Sequence, residues 1–349
     1  MTMRNAAGTS VIFQLAILLV MVPVTYIGSF VVFSYATDNI RDGGWALVLV
    51  DHLARFDSGM LNLLGARSRF VWSALTVLFA LTMVSAGAFS LVVLARRAVA
   101  HKTPILVAIV LFSVALGVAA WVLGPAQFSG CALNAGGDAC ATKCTGKPFL
   151  IIPYMGAIFC RIYEPSFFAF FWRFFTVAGA VQTSINALFV AAALSLIVGP
   201  RSIERSAIAD LRQRISDFRA LLILASVILT LAGLTELTLW GWLAENAAGW
   251  QLADKLRSLQ VGSALYWGIC NSILMLLVFA PLGSVLAKEA RALARSHNEG
   301  ASIPALETWE REQGVTLVGR AAWPQVVGIF APLLTGALTF LFQTTLGGG

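Results

Sequence analysis

Four cysteines, Cys131, Cys140, Cys144 and Cys160, come nearest to a chemical signature, in the pattern C-x8-C-x3-C-x15-C. An even number of thiols in one loop favours disulfides where the compartment is oxidising, with three pairings open. The spacing matches no zinc-ribbon pattern and no neighbouring histidine completes a ligand set, so no metal is expected. The fifth cysteine, Cys270, sits in an apolar run. There it reads as a small packing residue, because apolar surroundings disfavour the reactive thiolate.

The three histidines, His52, His101 and His297, belong to different connections and form no constellation. His52 has Asp51, Arg55 and Asp57 as neighbours, but adjacent residues on a helix point to different faces, which makes a solvated surface of them. There is no glycine-rich phosphate loop, no G-x-S-x-G elbow and no H-E-x-x-H pair. No catalytic residue and no cofactor follow from the sequence. The remaining candidates are polar residues inside apolar runs: Gln182 and Asn186 four apart, Glu236, Asn271, and Arg173 near a run's end. Such groups are costly in lipid unless paired, so each is a candidate for interhelical hydrogen bonding or for a solute path. Glu236 and Arg173 stand near the ends of their runs, where they can snorkel to the interface.

Positioning these residues requires elements that the composition itself announces. Of 349 residues, 58% are hydrophobic and 12% charged, against about 25% charged in soluble domains. The mean hydropathy is +0.82. Seven apolar runs, at 11–35, 70–94, 105–123, 168–198, 221–242, 265–286 and 324–342, approach the ~20 residues that a ~30 Å hydrocarbon layer demands. Continuous runs rather than short alternating segments predict helices, since a helix satisfies its own backbone in lipid. The sequence therefore predicts an all-α polytopic bundle of about seven spans, a single membrane domain over 1–349. The first run follows Arg4 and precedes Ser34-Tyr35-Ala36. Its length exceeds a signal peptide's h-region of about 7–15 residues, so it is expected to be retained.

The formal net charge of +7 forms no basic stripe with interleaved aromatics, and nucleic acid is not an expected partner. With an inside N-terminus, 14 of the 24 basic residues fall on the inner side, as the positive-inside rule asks, and the C-terminus falls outside. Trp72, Trp121, Trp172, Trp240, Trp242 and Trp267 then share the outer interface, as do the four loop cysteines. Arginine outnumbers lysine 19 to 5, which hints at a bacterial source and its cytoplasmic membrane.

The connections carry helical patterns of their own. Apolar residues from Trp45 to Leu64 recur at helical spacing and suit a helix lying on the outer surface. Ile203, Ala207, Leu211, Ile215, Phe218 and Leu222 form an inner stripe that runs into the fifth span. The sixth span is expected to continue through Lys288, Arg291 and Arg295. A short helix follows over 304–313, with Glu307 and Arg311 four apart and Gly314 as its stop. These inner helices are the expected surface for a protein partner or for self-association, with the bilayer as the other partner. The functional expectation is a non-enzymatic assembly, sensing or interaction subunit. The alternative is a small-solute transporter or channel using Gln182, Asn186 and Asn271.

Overall fold

The computed structural model describes residues 66–100, 131–133, 142–144, 181–182, 184–197, 205–246, 251–298, 300–317 and 323–346. The expected spans at 11–35 and 105–123, the stretch 45–64, His52, His101, Cys140, Cys160, Arg173, Trp121 and Trp172 lie outside the described residues. Among those described, six helices appear: α1 (Ala66–Ala100), α2 (Ser184–Ser195), α3 (Arg205–Asn246), α4 (Gln251–His297), α5 (Ile303–Glu312) and α6 (Trp323–Leu346). A two-stranded antiparallel ribbon, β1 (Cys131–Leu133) with β2 (Thr142–Cys144), is the one departure from helix among them.

Three stretches, Ala66–Ala98, Ala207–Trp242 and Gln260–His297, are long and apolar enough to cross a membrane. They contain the expected spans 70–94, 221–242 and 265–286. The apolar stretches Ser184–Ser195 and Val326–Leu338 are shorter. Hydroxyls within the runs cost little because each returns to its own helix: Thr76, Thr82, Ser85 and Ser90 donate to the carbonyl four residues back at 2.7–2.9 Å.

The inner stripe does run unbroken into the fifth span. It forms the first turns of the 42-residue α3, and α4 carries the sixth span on through Lys288 and Arg295 over 47 residues. At 1.5 Å per residue these helices measure about 63 and 70 Å, roughly twice a bilayer's hydrocarbon thickness. Pro281 lies inside α4 and Pro332 inside α6. Each lacks the N–H that would donate to the carbonyl four residues back.

α3 occupies the centre, packed on α1, α4 and α6. Phe279 of α4 sits edge-on between Phe189 of α2 and Phe218 of α3, with ring centroids at 6.4 and 5.8 Å. Leu211, Ile215, Phe218 and Leu222 are all buried in this core. The stripe assigned to a partner or a lipid surface is thus covered by the chain's own helices, and the exposed face of that segment is polar, with Arg212, Gln213 and Ser216.

α5 matches its expected place within a residue at each end. Its stop is a Schellman arrangement, in which Val315 N–H donates to Glu310 O at 2.9 Å and Gly314 N–H to Arg311 O at 3.0 Å. Gly314 adopts φ +69°, a conformation that costs an L side chain about 1 kcal/mol. Gly314→Ala is expected to lower stability by about that amount, read as a lower thermal midpoint in detergent. An unchanged midpoint would show that this turn tolerates rearrangement.

Candidate functional site

Two polar assemblies stand out from the apolar bundle, one at each end of α3. At the end assigned outside by the sequence, Trp72 of α1 stacks on Trp242 of α3 at 5.7 Å, and Ser68 Oγ donates to Glu245 at 2.6 Å. Two of the tryptophans that the sequence grouped at one interface, Trp72 and Trp242, are therefore neighbours in space. One helical turn or two further in, Glu236 faces α4. Its carboxyl accepts from Ser263 Oγ and from Trp240 Nε1, the latter at 3.4 Å, and Trp267 also bonds to it. Gln260 completes the cluster by donating to Leu237 O at 2.8 Å. The sequence suggested a carboxyl free to reach the interface; the bundle instead supplies it with donors from two helices.

Beside this cluster lies a small cavity between α3, α4 and α6, lined by Thr230, Gly233, Gly268, Asn271, Thr335 and Gly336 among others. About 10 Å³ of it is open to the centre of a water-sized sphere, roughly what a single water requires. Asn271, Thr230 and Thr335 line this mostly apolar space with Leu229, Leu234 and Leu237, whereas Gln182 and Asn186 are not among its lining residues. Asn186 is exposed and Gln182 half-buried on the described surface. Below the cavity α4 and α6 meet backbone to backbone. A Cβ built on Gly268 would lie 2.9 Å from Pro332 O, and one on Gly336 would lie 2.8 Å from Ala264 O. This Ala264-Gly268 and Pro332-Gly336 spacing is the small-x-x-x-small contact of membrane helices, which the sequence reading did not single out.

At the opposite end of α3 three guanidiniums meet three carboxylates. Arg97 of α1 bonds to Asp210 at 2.6 Å and Arg96 to Asp217 at 3.3 Å. Arg214 pairs with Glu289 of α4 and lies 2.9 Å from Asp210, an ion pair without hydrogen-bond alignment. Its Nη1 also donates to Leu196 O at 3.0 Å, just past the end of α2. Arg214 therefore ties α2, α3 and α4 together, and Asp210 extends the tie to α1. The Arg214 side chain is 1% exposed and that of Asp217 5%. Two more arginines of α3 hold the chain after α5: Arg212 Nε donates to Gln313 O at 2.8 Å and Arg219 Nη2 to Thr316 O at 2.7 Å. Arg291 of α4 meets Glu310 at 3.5 Å and Glu307 at 3.8 Å. From the sequence these arginines had been counted only for sidedness; alternation of Asp and Arg three and four apart, at Asp210, Arg214 and Asp217, was the available signal.

Of the four loop cysteines the structure places two, Cys131 and Cys144, as directly opposed partners at the end of the ribbon. Cys270 is a free thiol in α4. No group of three or more His, Cys, Asp or Glu residues suited to a metal ion occurs among the described residues. No protein-family model, curated protein or solved structure matches the chain.

Proposed function

We propose that the chain is a multi-pass protein of a bacterial cytoplasmic membrane, with about seven spans, an inside N-terminus and an outside C-terminus, and that it serves as a non-enzymatic assembly, sensing or interaction subunit. The observation that carries this reading is the continuity of α3 and α4 from the Trp72–Trp242 end to well beyond the membrane. Their projecting ends carry α5 and are bound into one body by Arg214. The basic residues concentrated there favour a cytoplasmic location for this end, which puts the cysteine loop outside. A rigid polar platform continuous with membrane helices suits a protein that presents a surface to a partner. Because Leu211 and Ile215 are covered, the surface offered is the polar face of α3 around Ser216 and the exposed side of α5 around Ile303 and Thr308.

Photo-crosslinking in native membranes tests this. A photoreactive side chain at Ser216 or Thr308 is expected to yield one protein adduct of defined mass, and one at lipid-facing Leu81 only lipid adducts. Lipid adducts alone from all three positions would sink the reading. Transport is the second reading, favoured by Asn271 in the wall of the small cavity beside Glu236. It requires substrate-specific flux in proteoliposomes that falls to the empty-vesicle level on Asn271→Ala or Glu236→Gln. That result would displace the assembly reading.

A further inference from the structure

We propose that Cys131 and Cys144 form a cross-strand disulfide, leaving Cys140 and Cys160 to each other as the second pair. The ribbon's register sets Cys131 opposite Cys144, Ala132 opposite Lys143 and Leu133 opposite Thr142. Directly opposed residues in an antiparallel ladder have Cα atoms about 4.5–5.5 Å apart. A disulfide needs roughly 4.4–6.8 Å, so the backbone already meets its requirement at this position. Of the three pairings that four cysteines allow, the ribbon is compatible with one. A bond from Cys131 to Cys140 would have to form while Cys144 held the opposed position. A bond from Cys131 to Cys160 would have to displace that same partner.

The ribbon also needs such a bond. Two strands of three residues each are marginal by themselves in water, and the sequence between them, 134–141, includes Gly136-Gly137, residue types that favour a turn without adding packing. A covalent tie at the open end restricts the unfolded loop and holds the register. The chemistry is exchange with an external protein disulfide. The Cys131 thiolate attacks one of its sulfurs, and the Cys144 thiolate then displaces the carrier from the mixed disulfide. Two protons and two electrons leave the pair, and the carrier ends as a dithiol.

The oxidised state in the cell rests on the outside placement of the loop proposed above, so the test separates the two. Full-length protein is acid-quenched in cells and alkylated, and a second sample is purified reduced and oxidised with copper phenanthroline in air. Cleavage at Asp138, Lys143 and Met155 puts the four cysteines on four separate peptides. The expected result in both samples is the Cys131–Cys144 linked peptide as the dominant species, retained in Cys140→Ser and lost in Cys131→Ser. Linkage of Cys131 to Cys140 or Cys160, or four alkylated loop thiols after oxidation, overturns the proposal. Free thiols in cells together with the Cys131–Cys144 link after oxidation uphold the pairing and overturn the outside placement instead.

Discussion

Replacing Arg214 with methionine is expected to lower the melting midpoint of the folded protein. The side chain is fully enclosed and serves Asp210, Glu289 and the Leu196 carbonyl together. An apolar stem of similar volume fills the space but leaves half-buried Glu289 and the Leu196 carbonyl without their donor, while Asp210 keeps Arg97, a defect that costs about 1–3 kcal/mol. That is a large share of the ~5–15 kcal/mol by which proteins are held folded. Arg214→Lys keeps the charge and loses the planar fork that reaches three partners, so it is expected to fall between the two. The loss is read as the thermal midpoint of helical circular dichroism in detergent. A methionine variant with the parental melting curve would show that the knot contributes nothing net to stability. The double change Arg214→Met with Glu289→Leu is expected to recover part of the loss, because it removes a stranded charge along with its partner.

The second large effect is expected at the α4–α6 crossing. Alanine is normally the better helix residue by about 1 kcal/mol, yet Gly268→Ala and Gly336→Ala should each destabilise. Their new methyl groups would stand within 3 Å of a carbonyl oxygen on the partner helix. The obstruction is backbone, so no side chain can swing aside, and overpacking of this kind costs about 1–3 kcal/mol. Gly262, on the same helix, has open space where its Cβ would be. Gly262→Ala is therefore expected to raise the melting midpoint while the other two lower it. A uniform rise across all three would mean the helices stand further apart than described. The Gly268→Ala, Gly336→Ala double variant should cost less than the sum, since the first change already separates the pair.

The sequence carried the long-range architecture only in part. Runs such as 70–94 and 221–242 were legible because lipid imposes a length and an apolar composition that nothing else in the chain imitates. The continuation of α3 beyond its apolar run 221–242 was legible from the stripe at Leu211, Ile215 and Phe218, which keeps one helical period into that run. What that stripe touches was not. An apolar face at helical spacing fits a neighbouring helix of the same chain, a partner or a lipid surface equally well, and only the assembled bundle shows Leu211 enclosed. The same holds for the polar site. Glu236 was marked by its residue type, but its partners Ser263, Trp240 and Trp267 are hidden among ordinary span residues and become significant through contact alone. The cysteines are a sharper case, since spacing left three pairings open and says nothing of the register that sets Cys131 opposite Cys144.

The Gly268–Gly336 contact has a mechanical side. With no side chain between them, the two backbones resist sliding along each other but not rocking, so the crossing behaves as a fulcrum. Glu289 stands 21 residues from Gly268 on α4, a lever arm of about 32 Å, over which a tilt of about 5° displaces its carboxyl by about 3 Å. A shift of that size parts a hydrogen-bonded ion pair. A tilt of α4 about the Gly268–Gly336 crossing is thereby coupled to the Arg214–Glu289 ion pair about 32 Å along the same helix.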